Sequence, residues 1–126
     1  MRRLPLALLA VLAGCGGGED GGPPDAEGAR DVAQRYLDAV AAKDWAAACE
    51  TRVRREREPV GATCPDTLMS LLGAADTSAY AEAEIGEARL TGERADIDFI
   101  VPGQDFTQRL AAVVEDGEWR LEDTAG

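Results

Sequence analysis

The chain contains no histidine. That removes the commonest metal ligand and the side chain that titrates nearest neutral pH without help. Neither a zinc centre nor Ser-His-Asp catalysis is expected, and no cofactor is implied. Aromatic side chains are also scarce, with two each of Phe, Trp and Tyr, so little bulk is left over once a core has been filled. Positive charge is short too: 13 basic residues face 24 acidic ones, for a formal net charge of −11. Such a surface repels nucleic acid and anionic headgroups alike. A chain of 126 residues has room for one domain and no second catalytic unit.

Long hydrophobic runs are missing as well, with one short exception at the start. Arg2 and Arg3 form a positive n-region, Leu4 to Val11 an apolar h-region, and Leu12-Ala13-Gly14-Cys15 a processing site with small residues before the cut. Spanning a bilayer takes about 20 apolar residues, and this run stops at Cys15 ahead of Gly16-Gly17-Gly18. The tetrapeptide resembles the lipobox of bacterial lipoproteins. That resemblance implies residues 1–14 as a removable signal peptide, with diacylglyceryl transfer to the Cys15 sulfur. Two acyl chains hold a domain to a membrane where one is marginal, since each buried methylene contributes about 0.8 kcal/mol. The expected address is the outer face of the cell membrane, with the lipid on Cys15 as the membrane contact. Loss of Arg2 and Arg3 leaves 11 basic against 24 acidic residues, a net of −13. Residues 15–25, rich in Gly, Pro and acid, read as a flexible tether that cannot bury apolar area. Residues 26–126 form the folded domain.

With Cys15 assigned to lipid, export to an oxidising compartment leaves the even pair Cys49 and Cys64, and a disulfide between them is the simple expectation. A redox or metal site is the rival reading. It lacks a Cys-x-x-Cys spacing and a histidine to assist.

Apolar residues at Ala29, Val32, Ala33, Tyr36, Leu37, Val40 and Ala41 have helical spacing with one wet face. Lys43 and Asp44 interrupt that helix. Asp44 can cap a second, short helix carrying Trp45, Ala48 and Cys49, which fades among the arginines before Pro59 and Gly61. A third helix begins at Pro65-Asp66, has Leu68, Met69, Leu71 and Leu72 making an apolar side, and stops at Gly73. The period then changes to two. Glu82-Ala83-Glu84-Ile85 alternates, Gly92-Glu93 turns the chain, and Ala95, Ile97, Phe99 and Val101 alternate with charged residues up to Pro102-Gly103. Phe106 to Glu115 is a further strand, and Asp116-Gly117 is a strong hairpin turn into Trp119-Arg120-Leu121-Glu122. The expected architecture is α+β, with three N-terminal helices on one face of a curved antiparallel sheet of about four strands.

This order, the segment Tyr36-Leu37-Asp38-Ala39-Val40-Ala41-Ala42-Lys43-Asp44-Trp45 and the terminal Asp116-Gly117-Glu118-Trp119-Arg120-Leu121 resemble the nuclear transport factor 2-like superfamily. Small actinobacterial lipoproteins of that superfamily are similar in carrying one cysteine shortly after the first helix and another before the third. The resemblance, over about Ala26 to Asp123, implies a cone between the first helix and the concave sheet. Tyr36, Val40, Leu71, Phe99, Val101, Leu110 and Trp119 are the large side chains available to line it. Left hollow, it would suit a small apolar ligand; the other reading is that these residues meet one another and fill it.

An isomerase-like or hydrolase-like site would draw on Tyr36 and a carboxylate from Asp38, Asp96 or Asp98. The strand pattern, however, turns Asp96 and Asp98 away from the face carrying Ile97 and Phe99. The same two aspartates with Glu82 or Glu84 could chelate calcium, but no calcium-binding loop is present. The run Glu50 to Glu58 sums to only +1, and its helical pairs Glu50 with Arg54, Arg52 with Glu56 and Arg54 with Glu58 suggest a self-paired surface. Three functions are compatible: a non-enzymatic module binding a small ligand or an envelope protein, a small enzyme, or a spacer with a filled core. The first is favoured because the pattern offers an anchor and no catalytic motif.

Overall fold

The computed structural model describes residues 25–58, 61 and 63–122. The leader, Cys15 and the tether up to Pro24 lie outside the described residues, as does Pro59. Asp25, assigned from sequence to the tether, belongs to the fold, because its carboxylate accepts a hydrogen bond from the Gly28 amide (2.9 Å) and caps the first helix.

Helix α1 runs Ala26–Ala41 and buries Ala29, Val32, Ala33, Leu37, Ala39 and Val40 along one side. It ends where Lys43 takes a left-handed φ of 57° and the Asp44 amide folds back onto the Ala39 carbonyl (2.9 Å). Asp44 then caps α2, Trp45–Glu50, by accepting from the Ala47 amide (3.1 Å). The arginine run does not fade as one helix. Thr51 to Val53 is laid beside the last strand: the Leu121 amide donates to the Thr51 carbonyl (2.7 Å) and the Val53 amide to the Leu121 carbonyl (2.9 Å). A four-residue helix α3, Arg54–Arg57, follows. Helix α4, Cys64–Leu72, is capped by Thr63, so it starts one residue earlier than Pro65, which occupies its first turn. Among the described residues four α-helices therefore precede the sheet, where three were expected. The fourth arises because the backbone groups of Thr51 and Val53 are taken by the edge of the sheet, which splits the arginine run from α2.

A 3-10 helix, Ser78–Glu82, occupies the start of what had read as the first strand. The strands are β1 (Glu84–Thr91), β2 (Arg94–Ile100), β3 (Gln108–Glu115) and β4 (Glu118–Glu122), paired antiparallel in the order β1-β2-β3-β4. Phe106 is not in β3 but on the preceding loop, 55% exposed. The Asp116-Gly117 turn has positive φ at both residues (54° and 81°), the left-handed pair that a two-residue hairpin requires. A bulge lies between Ile85 and Ala88, and the Arg30 side chain reaches over to donate to the Gly86 and Ile85 carbonyls (2.9 and 3.1 Å).

The architecture is thus α+β, with α1 laid on one sheet face. Ala29, Val32 and Ala33 meet Ala95, Ile97, Ala112, Trp119 and Leu121. Leu37 meets Phe99 and Val101. Ala39 and Val40 meet Ala48, Leu68 and the bonded pair Cys49 and Cys64, whose sulfurs are 2.06 Å apart. Small residues at the helix-to-sheet contact allow α1 to sit close to the strands.

Candidate functional site

The seven residues proposed to line a cone do not surround one. Tyr36 packs against all three buried groups. Val40 is fully buried beneath α2 and α4, Phe99 and Val101 are sealed against Leu37, Trp119 lies against the start of α1, and Leu110 packs at the seam between two of the groups. Leu71, in contrast to the expectation that it lines a cone, faces outward and is 72% exposed. Its neighbours Leu68 and Leu72 take the buried side of a helix too short to hide all its apolar residues. The sheet face beneath α1 is therefore occupied by the chain's own side chains.

Contact between α1 and the sheet is close enough that a Cβ on Gly28 would stand 2.9 Å from Trp119 Cδ1. Beside this contact the indole Nε1 of Trp119 is buried without a protein partner among the described residues. The Arg52 guanidinium stacks over the Tyr36 ring, 5.4 Å from its centre.

The aspartates offered as partners for Tyr36 point elsewhere. Asp38, two residues along α1, is exposed and accepts from Gln34 (2.9 Å). Asp96 and Asp98 lie on the sheet face opposite Tyr36, as the alternation in β2 requires. Asp98 takes two hydrogen bonds from Arg89 (3.0 and 3.2 Å) and one from Arg109 (3.0 Å). These bonds, Arg89 first, hold its carboxyl below the ordinary 3.8. A carboxylate fixed in its charged form between two guanidinium groups is a poor proton acceptor. The same clamp sets Asp98 against two cations rather than beside other acids, and among the described residues no group of three or more His, Cys, Asp or Glu could hold a metal ion.

Of the helical pairs expected in the arginine run, Arg52 with Glu56 forms (2.6 Å). Arg54 turns instead to Asp116, while its backbone amide donates to the Glu115 carboxylate (2.9 Å). Arg55 and Arg57 reach Glu122 and Glu115 (3.3 and 3.5 Å). The run is self-paired, but to the sheet as much as to itself.

Open space lies on the outside. One groove of about 560 Å³ runs between the start of α1 and β1, past Glu27, Arg30, Glu87 and Arg89. Another, of about 270 Å³, lies between α3 and α4 and is floored by Cys64 and Leu68. Sequence reasoning missed this second groove because it placed Leu71 inside; the available signal was an α4 with more apolar positions than one buried face can use. Among the described residues no helix is long and apolar enough to cross a membrane. No family model, curated protein or solved structure matches the chain.

Proposed function

We propose that the protein is a lipid-anchored, extracytoplasmic binding module of the cell envelope, held to the membrane through acyl chains on Cys15. It engages a partner with its outer surface and does no chemistry. The single observation that carries this reading is Leu12-Ala13-Gly14-Cys15 directly behind a basic n-region and an apolar run. The helices-then-meander order and the seat of α1 on one sheet face support a nuclear transport factor 2-like cone, here in a filled form. The filling redirects the function. A small apolar ligand has no interior left to enter, so an envelope protein is the partner class that fits.

The test is metabolic labelling with radioactive palmitate in the native host, followed by fractionation. Wild-type protein takes up label and sediments with membranes, whereas Cys15→Ser takes up none and is not held there. An unlabelled wild-type protein that retains Met1 by intact mass would refute the anchor and the address together.

A further inference from the structure

The groove between α3 and α4 has the build of a peptide-docking site, and we infer that it receives an acidic amphipathic segment of a partner protein; this rests on the binding-module reading above. Cys64, Thr67, Leu68 and Leu71 line one wall. Their spacing of three, four and seven residues is that of a helix face normally covered by another element. Here the face is only half covered: Leu68 is 9% exposed and Leu71 72%. Among the described residues the facing wall is Arg52, Arg55 and Glu56. Arg52 is spent on Glu56 and on the Tyr36 ring. Arg55 is different, because its side chain is 66% exposed and its contacts to Glu122 and Glu56 are long, 3.3 and 3.8 Å. The lining has one positive charge in excess on a chain with a net charge of −11. Apolar floor and cationic rim together match a segment that offers apolar side chains and a carboxylate.

Shape separates a peptide from a small molecule: an outward Leu71 adds contact area only to an occupant that extends past the rim of the groove. A short amphipathic helix laid in the groove does so, with its apolar positions against Leu68 and Leu71 and its acidic position at Arg55.

The experiment titrates the isotope-labelled soluble domain, with its disulfide intact, by NMR. The probes are a Leu/Glu amphipathic helical peptide, its Leu/Lys counterpart, a scrambled Leu/Glu peptide and decanoate. Selective shifts at Arg55, Thr67, Leu68 and Leu71 with the Leu/Glu peptide are expected, together with at least about tenfold weaker binding by Leu71→Asp and weaker binding by Arg55→Gln. Both sites are exposed, and far-UV circular dichroism checks that the variants fold. Equal binding of the Leu/Lys or scrambled peptide, decanoate binding in place of peptide, shifts located elsewhere, or no shifts at all would each overturn the proposal.

Photo-crosslinking of the anchored protein in native membranes separates this failure from that of the module reading. Crosslinks lost in both variants support the groove. Crosslinks retained in both overturn the groove and leave the module, and none from wild type overturns both.

Discussion

Replacing Gly28 by Ala sets two effects of similar size against each other, and the structure decides the sign. In an ordinary helix the change is favourable by up to about 1 kcal/mol, since Ala loses less backbone freedom on folding. At Gly28 the new methyl would stand 2.9 Å from Trp119 Cδ1, 3.3 Å from its Nε1 and 3.2 Å from the capping oxygen of Asp25. The indole is 8% exposed and packed into the α1-to-sheet core, so it has little freedom to retreat. Overpacking of this kind costs about 1–3 kcal/mol, and the methyl also crowds the cap. The propensity gain is at its smallest in the first turn, where the helix is held by Asp25 rather than by internal bonds. The expected outcome is a net loss of about 1 kcal/mol, read as a lower urea midpoint by tryptophan fluorescence and a fall in Tm of roughly 4–8 °C. A Trp119→Leu background supplies the control, because with the indole gone Gly28→Ala should become neutral or stabilising. A Gly28→Ala protein as stable as wild type, or more so, in the presence of Trp119 would refute the close approach of α1 to β4.

Reducing the Cys49–Cys64 bond, which spans 15 residues, should lower the unfolding free energy by about 3 kcal/mol, measured by urea titration with and without reductant. The Asp98 carboxyl should titrate by NMR below 3.8, and Arg109→Ala should raise its midpoint. Because the folded pKa is the depressed one, its stabilising effect is complete above the unfolded value and disappears as pH falls through the folded one. Leu37→Ala, at a fully buried site, should cost about 2–5 kcal/mol, whereas Leu71→Ala should change stability by no more than about 0.5 kcal/mol by chemical denaturation.

What could be read in advance follows from which forces are local. The spacing of Ala29, Val32, Ala33, Leu37 and Val40, the caps at Asp44 and Gly73, and the alternation from Ala95 to Val101 are short-range signals, and the corresponding elements are present. Errors arise where a partner distant in sequence decides. Thr51 to Val53 leaves the helical path because Leu121 offers it backbone hydrogen bonds, and no local pattern announces that pairing. Arg54 abandons Glu58 for Asp116 for the same reason. Glu82 alternates as a strand residue would, yet ends a 3-10 turn whose Thr77 hydroxyl is anchored to the Val40 carbonyl (2.8 Å). Leu71 shows the complementary failure: hydrophobicity does not by itself bury a residue, and α4 buries only Cys64 and Leu68.

The distribution of charge explains why surface apolar groups carry the interest in this molecule. The sheet's outward face is already neutralised by its own pairs, with Arg89 and Arg109 on Asp98 and Arg94 on Glu122. One sheet edge is covered by Thr51 to Val53, and the bulge of the other by Arg30. The inner sheet face is covered by α1. Exposed pairs of this type contribute little to affinity. Large apolar side chains also stand on the surface: Leu71 and Met69 on α4, Phe106 and Ile100 at the loop between β2 and β3, and Leu90 at the end of β1. Of these, Leu71 borders a groove with an apolar floor and Arg55 on the far wall, so the proposed acidic segment would bury Leu71 and meet a cation in the same place.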